Sequence, residues 1–190
     1  MLRALPWVVG LGTLGPACVL MPPARAALPT PPPACKLTTS AFTTALTGMP
    51  VNRRIGTRTR CSYVAESGTY LNSVPGADLD LVGVVYPSVA VAQNSQAGWW
   101  RSYAVGGWHR KRLRSLGADD AIAAYHTVAG TLAGKHQVIA FGDVRFRVGR
   151  ILVALTVRTS TPAEPGFTFA QLAASYSTLI KHWRSPPPGD

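Results

Sequence analysis

The side chains best suited to chemistry in this sequence crowd into residues 99–114. Trp99, Trp100, Arg101 and Tyr103 lead through Gly106 and Gly107 into Trp108, His109, Arg110, Lys111, Arg112, Leu113 and Arg114. Aromatic faces interleaved with cations suit anions, sugars and bases. Rings stack, cations sit over ring faces, and a guanidinium grips a phosphate or carboxylate through two parallel hydrogen bonds. Trp108, His109, Arg110, Lys111, Arg112 and Arg114 are therefore the candidate ligand-binding residues, on a loop that Gly106 and Gly107 would keep mobile. The competing reading makes Trp100 and Tyr103 core residues and the arginine run a solvated face, as most charge runs are. A second basic group, Arg53, Arg54, Arg58 and Arg60, belongs either to the same positive surface or only to a loop.

Catalytic signatures are missing. The sequence holds no Gly-x-Ser-x-Gly, no His-Glu-x-x-His, no phosphate-binding P-loop and no dinucleotide fingerprint. His109, His126 and His136 lack metal-ligand spacing, so neither a metal nor a cofactor is expected. Asp119 and Asp120 read more simply as turn or helix-end residues than as a general acid and base. A noncatalytic binding domain is the leading expectation. Its rival is a small exported hydrolase that uses one of His109, His126 or His136 with Asp119 or Asp120, which requires such a pair to converge in a pocket.

The compartment follows from the first residues. Arg3 precedes an uncharged apolar run over 7–21, Pro22 and Pro23 end any helix, and Ala24-Arg25-Ala26 places small residues where a signal peptidase reads. Residues 1–26 are thus expected to be a signal peptide cleaved after Ala26. The apolar run is shorter than the roughly 20 residues that span a bilayer, so no transmembrane segment is expected in the mature chain. Lipid attachment at Cys18 is the specific rival to free secretion, although Leu14 stands one place too early before Gly15-Pro16-Ala17.

Loss of the first 26 of 190 residues leaves 164, enough for one domain with a real core. The mature chain carries +9, from 17 Lys and Arg against 8 Asp and Glu. Such a surface attracts anionic partners in a salt-dependent way. Outside the cell these would be envelope polymers, lipid head groups or an acidic protein; nucleic acid is rarely present there. Two cysteines remain, Cys35 and Cys61, an even number in an oxidising setting. A bridge between them would close a loop worth about 3 kcal/mol in the chain-entropy account.

Elements that would position these groups follow from periodicity. Residues 27–34 form a Pro-rich spacer, 185–190 a disordered Pro-rich tail, and 35–184 a single domain. A helix is expected over 35–48, capped by Thr38, stapled by Leu37 and Phe42, closed by Gly48, and buried along Phe42, Ala45 and Leu46. Strands are expected over 60–64 and 79–86, then a helix over 89–103 with a stripe of Val89, Gln93, Gln96, Trp100 and Tyr103, interrupted by Gly98. Residues 122–129 fit helix or strand and are read as strand. A hairpin over 136–147 and 150–158 turns at Gly149, with Ile151, Val153, Leu155 and Val157 on one face. Thr168 caps a last helix with an apolar stripe of Phe169, Leu172, Tyr176, Leu179, Ile180 and Trp183, which must lie on a sheet. This order is α+β: a mostly antiparallel sheet of about five strands, helices packed on it, and one disulfide.

Cys35-x-Leu37-Thr38 opening a helix, Cys61-x-Tyr63 in a strand, Leu116-Gly117-x-Asp119, Val148-Gly149-Arg150 in a hairpin and an Ala-rich C-terminal amphipathic helix appear in order. In this the chain resembles an uncharacterised family of small secreted proteins and lipoproteins of high-GC Gram-positive bacteria. More remotely it is similar to the ligand-sensing extracellular domains of mycobacterial kinases. The resemblance implies a secreted or cell-envelope α+β domain bridged from Cys35 to Cys61, and no catalytic residues. The chain departs from it in lacking a good lipobox and an acidic residue in the first helix.

Overall fold

The computed structural model describes residues 32–65, 76–132, 134–161 and 166–187. The expected signal peptide, Cys18, the spacer up to residue 31 and the end of the tail, 188–190, lie outside the described residues. Within them run α1 (Ala34–Leu37), α2 (Ser40–Thr47), β1 (Val51–Gly56), β2 (Arg60–Ala65), β3 (Gly76–Val85) and α3 (Val89–Ser102). There follow β4 (His109–Arg112), β5 (Asp120–Leu132), β6 (Lys135–Val148), β7 (Ile151–Thr161) and α4 (Phe169–Arg184).

All strands pair antiparallel in one sheet, ordered β1-β2-β3-β7-β6-β5-β4. The α+β class and antiparallel sheet are as expected, but the sheet has seven strands rather than about five. The two extra strands are its edges. β1 buries only Val51, and no residue of β4 is buried, so neither carries the alternating apolar signal that marks a half-buried strand. Basic side chains on both edges also discourage further strand pairing.

Alternation sets the faces. In β7, Ile151, Val153, Leu155 and Val157 all point to one side and are buried, as their period predicts. With Leu79, Leu81, Val144 and Phe146 they form the main core beneath α1, α2 and α4. Each fully buried side chain of this kind contributes about 1.5–3 kcal/mol. α4 is the element best foreseen. The Thr168 hydroxyl accepts from Gln171 N while the Gln171 side chain accepts from Thr168 N, and Leu172, Tyr176, Leu179 and Ile180 are buried against the sheet. Residues 122–129 are indeed strand, inside the longer β5.

Corrections fall at the N-terminal helices and at α3. Thr38 is extended (φ −124°, ψ 146°) and divides the expected helix into α1 and α2. Its carbonyl accepts from the buried Tyr63 hydroxyl at 3.1 Å, so the cap passes to Thr39, whose side chain accepts from Phe42 N. Of the expected stripe, Phe42 and Leu46 pack half-buried against the core but Ala45 is exposed. The fully buried residues of α2 are Thr43 and Thr47, whose hydroxyls donate to the carbonyls of Thr39 (3.0 Å) and Thr43 (2.9 Å) and so enter the core satisfied. In α3, capped by Ser88, Ala92 and Gln96 are buried whereas Val89 and Gln93 are exposed, and the helix runs unbroken through Gly98. Cys35 in α1 and Cys61 in β2 are disulfide-bonded, with Cα atoms 5.0 Å apart.

Candidate functional site

The basic run expected on a mobile loop is in fact β4, and strand alternation divides it between the two faces of the sheet. Arg110 and Arg112 pair with Ala124 and Ile122, on the α3 face; His109 and Lys111 pair with Tyr125 and Ala123, on the α4 face. Arg110 and Arg112 both lie over the Trp100 ring, 4.4 and 5.0 Å from its centroid. Arg110 also donates to the Trp100 carbonyl, and Arg112 Nη1 lies 3.0 Å from both Asp120 oxygens. These two cations are thus largely occupied within the molecule.

On the opposite face His109 stacks on Tyr125 at 4.8 Å, and Lys111 sits 5.9 Å from the Phe169 ring centroid. Trp108 is half-buried among Tyr103 (4.9 Å), His126 (5.5 Å) and Phe141 (6.4 Å), so for this residue packing dominates. Gly106 and Gly107 adopt φ of 73° and 75°, the left-handed region that glycine enters without cost, and turn the chain tightly into β4. A Cβ at Gly107 would lie 3.1 Å from the His126 ring, whose Nδ1 is 3.1 Å from the Gly107 carbonyl. Within residues 99–114, the exposed cations with no carboxylate partner among the described residues are Arg101, Lys111 and Arg114.

Beneath α3 lies a polar network that periodicity could not show. Tyr103 donates to Asp143 Oδ2, Arg145 Nη2 donates to the same oxygen at 2.8 Å, and Arg145 Nε donates to the Tyr103 hydroxyl at 3.0 Å. The Arg145 guanidinium stacks 3.5 Å from the Trp99 centroid. Burial raises the Asp143 carboxyl above the ordinary carboxylate range against the opposing pull of Arg145 and Tyr103, and burial with Asp143 nearby pushes the Tyr103 hydroxyl up. Asp143 and Arg145 came from a segment read only as strand. Their one sequence signal was charge at alternate positions of an otherwise apolar run.

The histidines and acids expected to serve a hydrolase do not meet. Asp119 accepts from Gly149 N (2.6 Å) and Arg147 (2.9 Å), tying the start of β5 to the β6–β7 turn, and Asp120 pairs with Arg112. His126 contacts Gly107, His109 lies on the α4 face, and His136 opposes Thr131 at the far end of β5. Among the described residues none of the three is hydrogen-bonded to a carboxylate.

Of the second basic group, Arg60 is held by Asp80 at 3.0 Å, while Arg58 lies in the β1–β2 turn. There it borders a pocket of about 280 Å³ between α1, the sheet and the end of α4. Leu37, Leu81, Gly83, Ile151, Val153 and Trp183 line it, and Arg150 of the β6–β7 turn borders it as well. Sequence reasoning passed over Arg150 and Gly83 as site residues. Gly83, alone within the β-rich run Val82 to Val85, was the available signal.

The chain matches no protein-family model, and no curated protein matches it significantly.

Proposed function

We propose that this protein is a noncatalytic exported domain that binds an anionic ligand of the cell envelope, a polymer, lipid head group or acidic protein, through a basic and aromatic surface centred on β4. The observation that carries this reading is the outward placement of Arg101, Lys111 and Arg114 with no carboxylate partner among the described residues. Across β4 from Lys111, Arg110 and Arg112 are pinned over Trp100, which stiffens the strand that carries Lys111. Preorganised cations of this kind attract anions and lose grip as salt rises.

Export rests on the leader-like residues 1–26 and on the resemblance to a secreted and lipid-anchored family. The Cys35–Cys61 bridge suits an oxidising compartment, and no helix among the described residues is long and apolar enough to cross a membrane. Attachment through Cys18 remains the alternative to free secretion.

The decisive variant carries Arg101→Ala, Lys111→Ala and Arg114→Ala, which spares the cations that pack on Trp100. Binding to phosphatidylglycerol vesicles and to soluble polyphosphate should fall by about tenfold or more, and wild-type binding should weaken steeply between low and physiological salt. Wild-type affinity in the triple variant would overturn the proposal.

A further inference from the structure

The pocket between α1, β3, β7 and α4 is a separate site from the β4 surface, and its shape and chemistry are specific. Its floor is apolar and buried: Leu37, Leu81 and Val153 are each 2% exposed or less, yet all three border the cavity. The floor is hollowed at Gly83, which pairs with Val153 and shares a sheet face with Leu81. A Cβ at Gly83 would meet no atom within 4 Å, so a side chain there would project into empty space rather than into a neighbour. Glycine inside a strand weakens it, and it marks places where a ligand or another chain comes close. The wall formed by α1 is tied to β2 by the Cys35–Cys61 bridge, so the cavity is held open in advance.

Charge at the mouth is of one sign. Arg58 and Arg150 border the pocket, and among the described residues neither has a carboxylate partner and no acidic residue lines it. An apolar slot bordered by two exposed arginines matches a molecule with an apolar chain and an anionic head, and a carboxylate is the head that a guanidinium fork grips best. The volume of about 280 Å³ falls at the lower end of ligand-sized cavities, which suits one chain rather than two.

We propose that this pocket binds a single-chain anionic amphiphile of the long-chain carboxylate class, its chain over Gly83 and its head group between Arg58 and Arg150. The proposal does not depend on the β4 surface.

The test is titration calorimetry of the full exported chain with n-alkyl carboxylates from hexanoate to hexadecanoate, each below its micelle concentration. Affinity should rise about three- to four-fold per added methylene and level off once the slot is full. Dodecyltrimethylammonium should bind about tenfold more weakly than dodecanoate. Gly83→Leu should abolish dodecanoate binding without lowering the thermal midpoint. Replacing the exposed Arg58 and Arg150 by Ala, a change the core does not feel, should erase the preference for carboxylate over ammonium. Arg101→Ala, Lys111→Ala and Arg114→Ala together should leave dodecanoate binding unchanged, which separates this site from the envelope-binding surface. The proposal fails if affinity is independent of chain length, if the double arginine variant keeps its carboxylate preference, or if Gly83→Leu binds as tightly as wild type. It also fails if the intact chain does not bind because its own residues before Pro32 occupy the slot.

Discussion

Tyr103, Asp143 and Arg145 show how far a single residue's role depends on partners remote in sequence. Asp143 and Arg145 are only 5% and 8% exposed, and a carboxylate at that depth is tolerable only because a guanidinium and a phenol are aimed at it. Tyr103→Phe should therefore lower stability by about 1–3 kcal/mol by removing a donor from a buried carboxylate. Urea unfolding measures this, and an unchanged midpoint would show that Arg145 alone satisfies Asp143. Tyr103 was legible as a core candidate from helical spacing. Its hydrogen bond was not, because Asp143 lies 40 positions away and becomes a neighbour only when β6 enters the sheet. Arg110 and Arg112 teach the same lesson in reverse, since their composition suggested a free binding surface and their contacts show two cations packed on one indole.

At the scale of elements, legibility tracks how much of an element's stability is local. α4 carries its own cap, its own box and an unbroken apolar stripe, so its start and buried face could be read directly. Thr168→Ala should cost about 0.5–2 kcal/mol, because the hydroxyl satisfies a helix N–H that water would otherwise have to meet. Chemical denaturation checks this, and a variant as stable as wild type would mean that packing alone sets the start of the helix. β1 and β4 are the opposite case. Both are short, basic and almost wholly exposed, and their strand conformation comes from the neighbours that pair with them. The first helix lies between these limits. Its end at Gly48 was readable from the left-handed cap (φ 71°), but its start was displaced by a tertiary bond, the one from Tyr63 to the Thr38 carbonyl.

For the molecule as a whole, the bridge from Cys35 to Cys61 is the covalent tie between the helices of the N-terminus and the sheet. It closes a segment of 26 residues, and its loss should cost about 3 kcal/mol by freeing the unfolded chain. Reduction, or the Cys35→Ser and Cys61→Ser pair, should lower the thermal midpoint by several degrees. A midpoint equal to that of the oxidised protein would show that core burial against β2 and β3 holds α1 without help. Net charge acts at this scale too, and it was readable from composition alone.

What the sequence by itself determined is whatever depends on counting or on periodicity: the α+β class, the cysteine pair, the β6–β7 hairpin with its buried face, and the capped helix that closes the domain. Each follows from residues a few positions apart or, for the cysteines, from the expected loss of Cys18 with the leader. Only the tertiary structure decided how many strands the sheet has, which cations lack a carboxylate partner and which pack on Trp100 and pair with Asp120, and that Gly83, Arg58 and Arg150 border one apolar pocket. The physical reason is common to all three. An edge strand, an ion pair and a pocket are properties of surfaces brought together from distant parts of the chain, and no local period encodes which surfaces will meet.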